Sequence, residues 1–203
     1  MQHKHAKTIV PINKVIAQRW SSRAYHPEKA VSPEQRLALF EAARWAPSCY
    51  EEQPWYLLAL DRFENENTWN LALDCLYDGN RIWAKDAPLI LIVTAKTTFS
   101  LNQEANAWAE YDTGAAVENL VLQATDMGLM SRQIGGFIEE KTRNSFNIPE
   151  TFKLLSFIAI GYPDNSNKLS EEHISAELAE RQRNQLEQHF FISNWGQSVK
   201  IDN

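Results

Sequence analysis

Three segments of the chain consist almost entirely of apolar residues. They are WYLLAL at 55–60, PLILIVTA at 88–95 and LLSFIAIG at 154–161. Unbroken apolar runs of this length are typical of β-strands covered on both faces, whereas a half-exposed strand alternates apolar and polar positions. The pattern therefore predicts a sheet sandwiched by helices, and LMSRQI at 129–134 predicts one further short strand.

The clearest helix start lies in the segment VSPEQRLALFEAARWA. Ser32 stands at the N-cap, a proline follows at the first helical position, and Gln35 comes three residues after the cap. This combination is an N-terminal helix signature. The predicted helix carries Leu37 and Phe40 and stops before Pro47, because the residue before a proline disfavours helical backbone.

Three further segments have helical spacing of apolar residues. VPINKVIAQ at 10–18 predicts a short amphipathic helix that ends near Arg19. The stretch from Glu104 to Met127 predicts the long core helix, which Gly128 ends. A shorter helix is expected from about Glu139 to Phe146, after the GGF turn. With the strands, these helices predict an α+β fold that has more helix than strand, in one domain over residues 1–203.

The last part of the chain contains the aromatic segment HFFISNW at 189–195, which reads as a strand. A terminal strand this apolar needs a partner. Two alternatives stand equally: it pairs with the sheet of a second subunit in an obligate dimer, or it forms an edge strand of its own sheet.

Composition and charge argue against several classes of protein. The net charge of −6 argues against general nucleic-acid binding, which needs a surplus of Lys and Arg. The two cysteines and the absence of a leader pattern favour a reducing cytoplasm, and the apolar runs are too short to cross a membrane as helices. No Cys or His spacing resembles a zinc site, so no metal is expected.

Local basic clusters stand out on this acidic chain. RWSSR places Arg19 and Arg23 four residues apart at a predicted helix exit, with hydroxyls between them. Arginines there commonly interact with the helix dipole or form surface ion pairs. The alternative is a phosphate clamp, in which guanidinium groups and a serine hydroxyl donate to one anion. A second pair, Arg181 and Arg183, strengthens the clamp hypothesis.

Four motifs together resemble the FMN-dependent nitroreductase family. They are RWSSR at 19–23, APSCYEEQPW at 46–55, GGF before a helix, and the late segment RQRNQLEQHFF, in order and spacing that match over nearly the whole chain. The resemblance implies a nitroreductase-like fold, with a central mixed β-sheet surrounded by helices. It also implies a homodimer in which the C-terminal segment is exchanged with the partner.

The resemblance assigns the phosphate end of an FMN site. It implies that Trp20 lines the ribityl phosphate and flavin edge with Arg19, Ser21 and Arg23, whose side chains donate to the phosphate. The family's late basic pair matches Arg181 and Arg183, which would close on the same phosphate.

The second subunit is implied to complete each site. Pro47 and Ser48 would come from the partner, as would position 51, where the family usually has Asn and this chain has Glu51. A carboxylate only accepts hydrogen bonds unless protonated, so we expect Glu51 to point away or to pair with an arginine.

At the ring end, the resemblance implies that Asn80 contacts the pyrimidine edge of the flavin. Some members carry a lysine three residues later, where this chain has Trp83, and Lys85 is a weak substitute. QIGGF matches the segment beside flavin N5, so Gly135 and Gly136 are expected to let the backbone approach the ring. Trp108 and Tyr111 are the implied substrate contacts over the open flavin face.

The resemblance implies an FMN-dependent oxidoreductase. NADH or NADPH would pass a hydride to flavin N5, and an electron-poor small molecule such as a nitroaromatic or quinone would then take the same place, with ping-pong kinetics. The flavin carries this chemistry, so no catalytic side chain is required. Alternatives are a relative with another reaction, such as dehalogenation, enone reduction or flavin destruction, and a non-catalytic flavin-binding protein. A third alternative, a helical interaction module without a cofactor, would require all four motif matches to be coincidental.

Overall fold

The computed structural model describes residues 4–165 and 168–201. The strands are β1 (Trp55–Asp61), β2 (Leu89–Lys96), β3 (Met130–Ile134) and β4 (Phe152–Gly161). The α-helices are α1 (Lys14–Gln18), α2 (Pro33–Arg44), α3 (Glu66–Asp74), α4 (Asp78–Ala84), α5 (Ala109–Asp126), α6 (Glu139–Phe146) and α7 (Glu171–Leu178). The predicted α+β class is confirmed, and α3, α4 and α7 are helices that the sequence pattern did not reveal.

The four strands form one sheet in the order β1-β2-β4-β3, and every neighbouring pair is antiparallel. The expectation of a mixed sheet is therefore wrong for the described residues, because a mixed sheet needs a parallel pair. The central strand β2 is buried along nearly its whole length, as its apolar run predicts. Strand β1 differs, since it lies at the edge of the sheet and leaves Tyr56 and Leu58 exposed.

Two apolar cores lie on opposite faces of the sheet, because alternate residues of β2 point to opposite sides. Ile90 and Ile92 join the core that contains Trp69, Trp83 and Phe157. Residues 89, 91 and 93 face the other core, which the helices α2 and α5 cover. This sandwich holds the ends of β3 and β4 in fixed positions beside the N-terminal segment.

The helix boundaries follow the local signals closely. Ser32 and Gln35 form the predicted capping box at the start of α2. The buried face of α2 is Leu39 and Ala43, however, and Leu37 is exposed. Helix α5 begins at Ala109 rather than near residue 104, because residues 98 and 105 pair in an isolated bridge that bends the chain before the helix.

The C-terminal segment does not form the predicted strand. Leu186–Gln188 is a short 3-10 helix, and Phe191 pairs with Ser198 in an isolated bridge across a turn at Gly196, whose φ is +83°. The segment thus folds back on itself locally and presents no extended edge. Its exchange with a partner subunit stays a prediction.

The part of the chain that the structure describes contains neither a membrane-spanning helix nor a cluster of metal-ligating side chains. No helix within residues 4–165 and 168–201 is long and apolar enough to cross a bilayer. In the same residues, no group of three or more His, Cys, Asp or Glu side chains is placed to hold a metal ion.

Candidate functional site

A cavity of about 230 Å³ opens where the RWSSR segment meets β3 and the chain around the end of α7. Six of its lining side chains are cationic and one is a carboxylate. The lining residues are Lys4, Arg19, Trp20, Ser21, Arg23, Arg132, Ala176, Ala179, Glu180, Arg181 and Arg183. The structure therefore brings together both predicted basic pairs, although more than 150 residues separate them in sequence.

The end of α1 positions the first basic pair. The chain leaves the helix at Arg19, whose backbone N–H donates to the Val15 carbonyl at 2.9 Å before the backbone becomes extended. The Arg19 guanidinium donates to the Ser21 hydroxyl at 3.3 Å. Since Ser21 lines the cavity and Ser22 is buried behind it, only the first of the two serines can present its hydroxyl to a ligand there.

A buried carboxylate holds the RWSSR segment from behind. Glu177, on α7, is 4% exposed. It accepts a hydrogen bond from the Arg23 backbone N–H at 2.8 Å and another from the Ser22 hydroxyl at 3.1 Å, and it lies 3.9 Å from the Arg23 guanidinium. Because these contacts satisfy the buried carboxylate, α7 is fixed against the cavity wall. Sequence analysis missed Glu177.

The second basic pair follows α7 and divides into two kinds of residue. Arg181 donates from Nη1 to the carbonyls of Lys4 at 2.8 Å and Ala17 at 2.9 Å, so it ties the C-terminal arm to α1. Desolvation lowers the pKa of Arg181, and the nearby Arg19 and Arg183 lower it further. Among residues 4–165 and 168–201, the Arg183 guanidinium donates one hydrogen bond, to the neighbouring Gln182 carbonyl at 2.7 Å, so the rest of this group is available to a ligand.

A fifth guanidinium, which sequence analysis also missed, comes from β3. Arg132 donates to the Ser21 carbonyl at 2.7 Å, and its guanidinium lies 5.5 Å from the centre of the Trp83 ring. Burial lowers the pKa of Arg132, and the positive charge of Arg23 lowers it further. The only hint in the sequence is a charged residue within the otherwise uncharged strand LMSRQI.

The cavity suits an anion that has several acceptor oxygens. Positive side chains crowd together, and two carboxylates, Glu177 and Glu180, lie near them, the second already paired with Lys7. The Nε of Arg23 and the Nε1 of Trp20 are buried donors without a hydrogen-bond partner in the described chain. Because buried donors are normally satisfied, unpaired donors beside a cationic cavity point to a bound acceptor.

Asn80 and Gly136 contact one another close to the end of β3. The Asn80 side chain donates to the Gly136 carbonyl at 3.0 Å, and a Cβ added to Gly136 would lie 2.6 Å from the Asn80 Nδ2. A Cβ at position 136 would therefore displace the Asn80 side chain from this turn and crowd Tyr77, whose Cδ2 would lie 3.2 Å away. A Cβ on Gly135 would meet nothing within 4 Å, so the backbone at 135 stays open to a flat ligand.

Neither Trp83 nor Lys85 takes the place of the lysine that some family members carry at the ring end of the flavin site. Trp83 is 1% exposed, packs in the core, and stacks on Tyr25 with ring centres 6.4 Å apart. Its indole therefore cannot cover an open face of a ligand. Lys85 is exposed at the end of α4 and does not line the cavity.

The loop at 46–53 lies away from the cavity of its own chain. Pro47 is exposed, and Ser48 accepts a hydrogen bond from the Gln53 backbone N–H at 3.0 Å. Tyr50, Glu51 and Gln53 all have positive φ, near +50°, which is strained for non-glycine residues. The Glu51 side chain is exposed, and its orientation toward the site of a partner subunit stays a prediction.

Trp108 and Tyr111 lie at the start of α5, again outside the cavity. Their rings meet edge to face at 6.3 Å, and Tyr111 is 75% exposed while Trp108 is 54% exposed. Two large aromatic side chains this exposed can contact a small molecule or another protein surface. Within one chain, the predicted substrate residues therefore lie away from the basic cavity, as do Pro47 and Ser48.

Known proteins share both sequence and fold with this chain. A curated relative from Archaeoglobus fulgidus, named "Putative NADH dehydrogenase/NAD(P)H nitroreductase", is 26% identical over 162 residues, which cover 78% of this chain and 88% of the relative. A protein of the same name from Methanothermobacter thermautotrophicus is 29% identical over 155 residues, which cover 73% of this chain and 75% of the relative.

A solved structure and a family model also match this chain. A crystal structure described as "the oxidoreductase containing FMN" matches with a TM-score of 0.89 at 26% identity, over 98% of this chain and 100% of that chain. This match confirms the predicted nitroreductase-like fold. The model of the Nitroreductase family matches residues 16–162, which is well over half of the sequence and includes RWSSR, β3 and the two glycines. The chain therefore belongs to the nitroreductase family.

Proposed function

We propose that the protein is an FMN-dependent NAD(P)H oxidoreductase that reduces small electron-poor acceptors. The observation that carries this proposal is the cationic cavity, in which both basic pairs, Ser21 and Arg132 converge. Family membership and the FMN named for the solved relative agree with a flavin phosphate as the anion.

The phosphate end of FMN would be held by Arg19, Ser21, Arg23, Arg181 and Arg183. Charge-assisted hydrogen bonds from guanidinium groups are about twice as strong as neutral ones. Desolvation and then the positive charges of Arg19 and Arg183 lower the pKa of Arg181, and a doubly charged anion would relieve the repulsion among these arginines. Because the protein already holds these charges in place, phosphate binding would have a smaller entropic cost of ordering them.

The flavin ring would lie beyond the phosphate, along the turn that follows β3. The open backbone at Gly135 would approach the ring, and Asn80 and Gly136 would stand at its polar edge. When bound, FMN supplies a centre at N5 that accepts a hydride from NADH or NADPH and delivers it to a nitroaromatic or quinone. The chain contributes binding and orientation, and no catalytic side chain is invoked.

A homodimer would complete the site. Pro47 and Ser48 lie on an exposed, strained loop that does not reach the cavity of its own chain, and Trp108 and Tyr111 are exposed beside it. The loop and α5 are joined, since Asp112 accepts a hydrogen bond from the Cys49 N–H at 2.9 Å. We infer that the partner subunit supplies this unit to the ring, with Trp108 and Tyr111 contacting the acceptor.

Steady-state kinetics of FMN-loaded protein test the reaction. We expect parallel double-reciprocal lines when NADPH or NADH is varied at several concentrations of a quinone, because reductant and acceptor occupy the same face in turn. A nitroaromatic acceptor should give the same pattern. Intersecting lines would contradict the shared site, and a flavin that is reduced but reacts only with halogenated or enone acceptors would assign another reaction of the same cofactor.

A further inference from the structure

Arg132 connects the two ends of the proposed flavin site. Its guanidinium touches the phosphate end through the hydrogen bond to the Ser21 carbonyl at 2.7 Å. It also lies over the ring of Trp83 on α4. Asn80 precedes Trp83 by one helical turn and bonds Gly136 just beyond the end of β3. Arg132 therefore contacts the clamp at Ser21 and, through Trp83, the helix that carries Asn80.

The charge of Arg132 is attracted by the nearby Glu177 but forms no ion pair with it in the described residues. Among the ion pairs formed by residues 4–165 and 168–201, Arg132 has none, whereas the neighbouring Arg23 lies 3.9 Å from Glu177. Burial and the charge of Arg23 both disfavour the protonated form, which lowers the pKa of Arg132. Partial burial of a cation without a carboxylate at ion-pair distance is costly, and a ligand that brings negative charge would lower this cost.

The Trp83 ring keeps this cation in place. A guanidinium over the face of an indole is stabilised by the quadrupole of the ring, and Trp83 is itself immobilised by the core and by Tyr25. The side chain is therefore fixed at two points, at the Ser21 carbonyl and at the indole. Arg132 thus presents its charge from a defined position on the β3 side of the cavity.

Building on the proposed function, we propose that Arg132, held on Trp83, contacts the pyrimidine end of the flavin and favours its reduced form. A hydride from NAD(P)H would bring two electrons and one proton to bound FMN, which would give the ring one further negative charge and leave NAD(P)⁺. A fixed guanidinium beside that end binds the more negative ring better than the oxidised ring. In this chain Arg132 would take the place of the lysine that some family members carry at position 83.

The test measures the midpoint potential of bound flavin in the wild type, Arg132→Gln and Arg132→Lys. We expect Arg132→Gln to lower the ratio of reduced-flavin affinity to oxidised-flavin affinity about tenfold, which is about 30 mV for a two-electron couple. Arg132→Lys retains the charge and should stay nearer the wild-type potential. The same shift should appear with riboflavin, because the effect acts on the ring.

Arg183→Gln is the matched control, since it removes one exposed arginine from the phosphate end. It should weaken FMN but leave both riboflavin affinity and the potential unchanged. If Arg132→Gln behaves like this control, Arg132 is a phosphate ligand and the proposal is wrong.

Two further measurements distinguish a folding defect, or a failure of the proposed function, from a failure of the proposal about Arg132. Circular dichroism of the apoproteins shows whether Arg132→Gln folds, and Arg132→Met, which keeps an unbranched apolar side chain against Trp83, replaces it if it does not. Wild-type protein that binds neither FMN nor riboflavin would remove the proposed function itself. Wild-type protein that binds both, with a potential insensitive to the neutral variants, would remove only the role of Arg132.

Discussion

The double variant Arg19→Ala with Arg183→Ala is expected to lose FMN while it keeps its fold. Within the described residues, the Arg19 side chain donates one hydrogen bond, to the Ser21 hydroxyl, and Arg183 donates one, to its neighbour's carbonyl. Neither guanidinium supports a distant element, in contrast to Arg181 and its bonds to Lys4 and Ala17. The double variant therefore removes ligand contacts with little cost to the free energy of unfolding.

The expected loss of FMN affinity is large. A hydrogen bond that involves a charged group contributes about 1.5–3 kcal/mol, so two arginines account for about 3–6 kcal/mol, or at least about a hundredfold in Kd. Titration of apoprotein with FMN, followed by fluorescence, measures this change. Riboflavin, which lacks the phosphate, should bind the variant and the wild type with similar affinity.

The control is Arg44→Ala with Arg81→Ala, which removes the same charge from outside the cavity. Arg44 pairs with Glu41, and Arg81 pairs with Asp74 and Asp78, all on the surface. This variant should bind FMN almost as the wild type does. An unchanged Kd for FMN in the Arg19 and Arg183 variant would exclude the phosphate clamp.

The second large effect is expected from Glu177→Ala, which should destabilise the protein by about 3 kcal/mol. The substitution leaves the Arg23 N–H and the Ser22 hydroxyl without their acceptor and leaves Arg23 without a nearby carboxylate. Since Glu177 fixes α7 to the RWSSR segment, α7 and the arm after it should also become sensitive to proteolysis. Urea unfolding and limited digestion of the apoprotein measure the two effects.

Glu180→Ala provides a comparison from the same arm. Glu180 pairs with Lys7 at 2.8 Å, but both side chains are largely exposed, so its loss should change stability by less than about 1 kcal/mol. Glu177→Gln keeps one acceptor for the Arg23 N–H and should fall between the two alanine variants. Equal stability of Glu177→Ala and Glu180→Ala would show that the buried carboxylate does not anchor α7.

Local signals in the sequence predicted most of the elements. The capping box at Ser32 and Gln35, the positive φ of Gly128 and the buried run of β2 are each determined by residues close in sequence. The two basic pairs were also found from sequence, because four motifs in order identified the family. The structure then placed both pairs in one cavity.

The residues that were missed act through tertiary contacts. Glu177 meets Arg23 across 154 residues, and Arg132 meets Ser21 across 111. A glutamate on a helix and an arginine in a strand look like ordinary surface residues until the fold buries the first and partly buries the second. No local pattern distinguishes them from Glu180 or Arg143, so the sequence could not predict their role.

The errors at β1 and in the C-terminal segment have a common cause. An apolar run predicts burial, but not which chain provides the covering surface. Tyr56 and Leu58 are exposed at the sheet edge, and the aromatic tail turns back on itself at Gly196. Both segments expose apolar surface in the single chain, and a second subunit in a dimer would cover it.

The most direct test of the proposed function is an anaerobic absorbance spectrum of the purified protein, loaded with FMN if needed, before and after addition of NADPH and then NADH. We predict a bound flavin spectrum that bleaches with at least one of the two reductants. A flavin that stays oxidised with both would contradict an NAD(P)H oxidoreductase and favour a non-catalytic flavin-binding protein. Protein that takes up no FMN would contradict the assignment of the basic cavity as a flavin site.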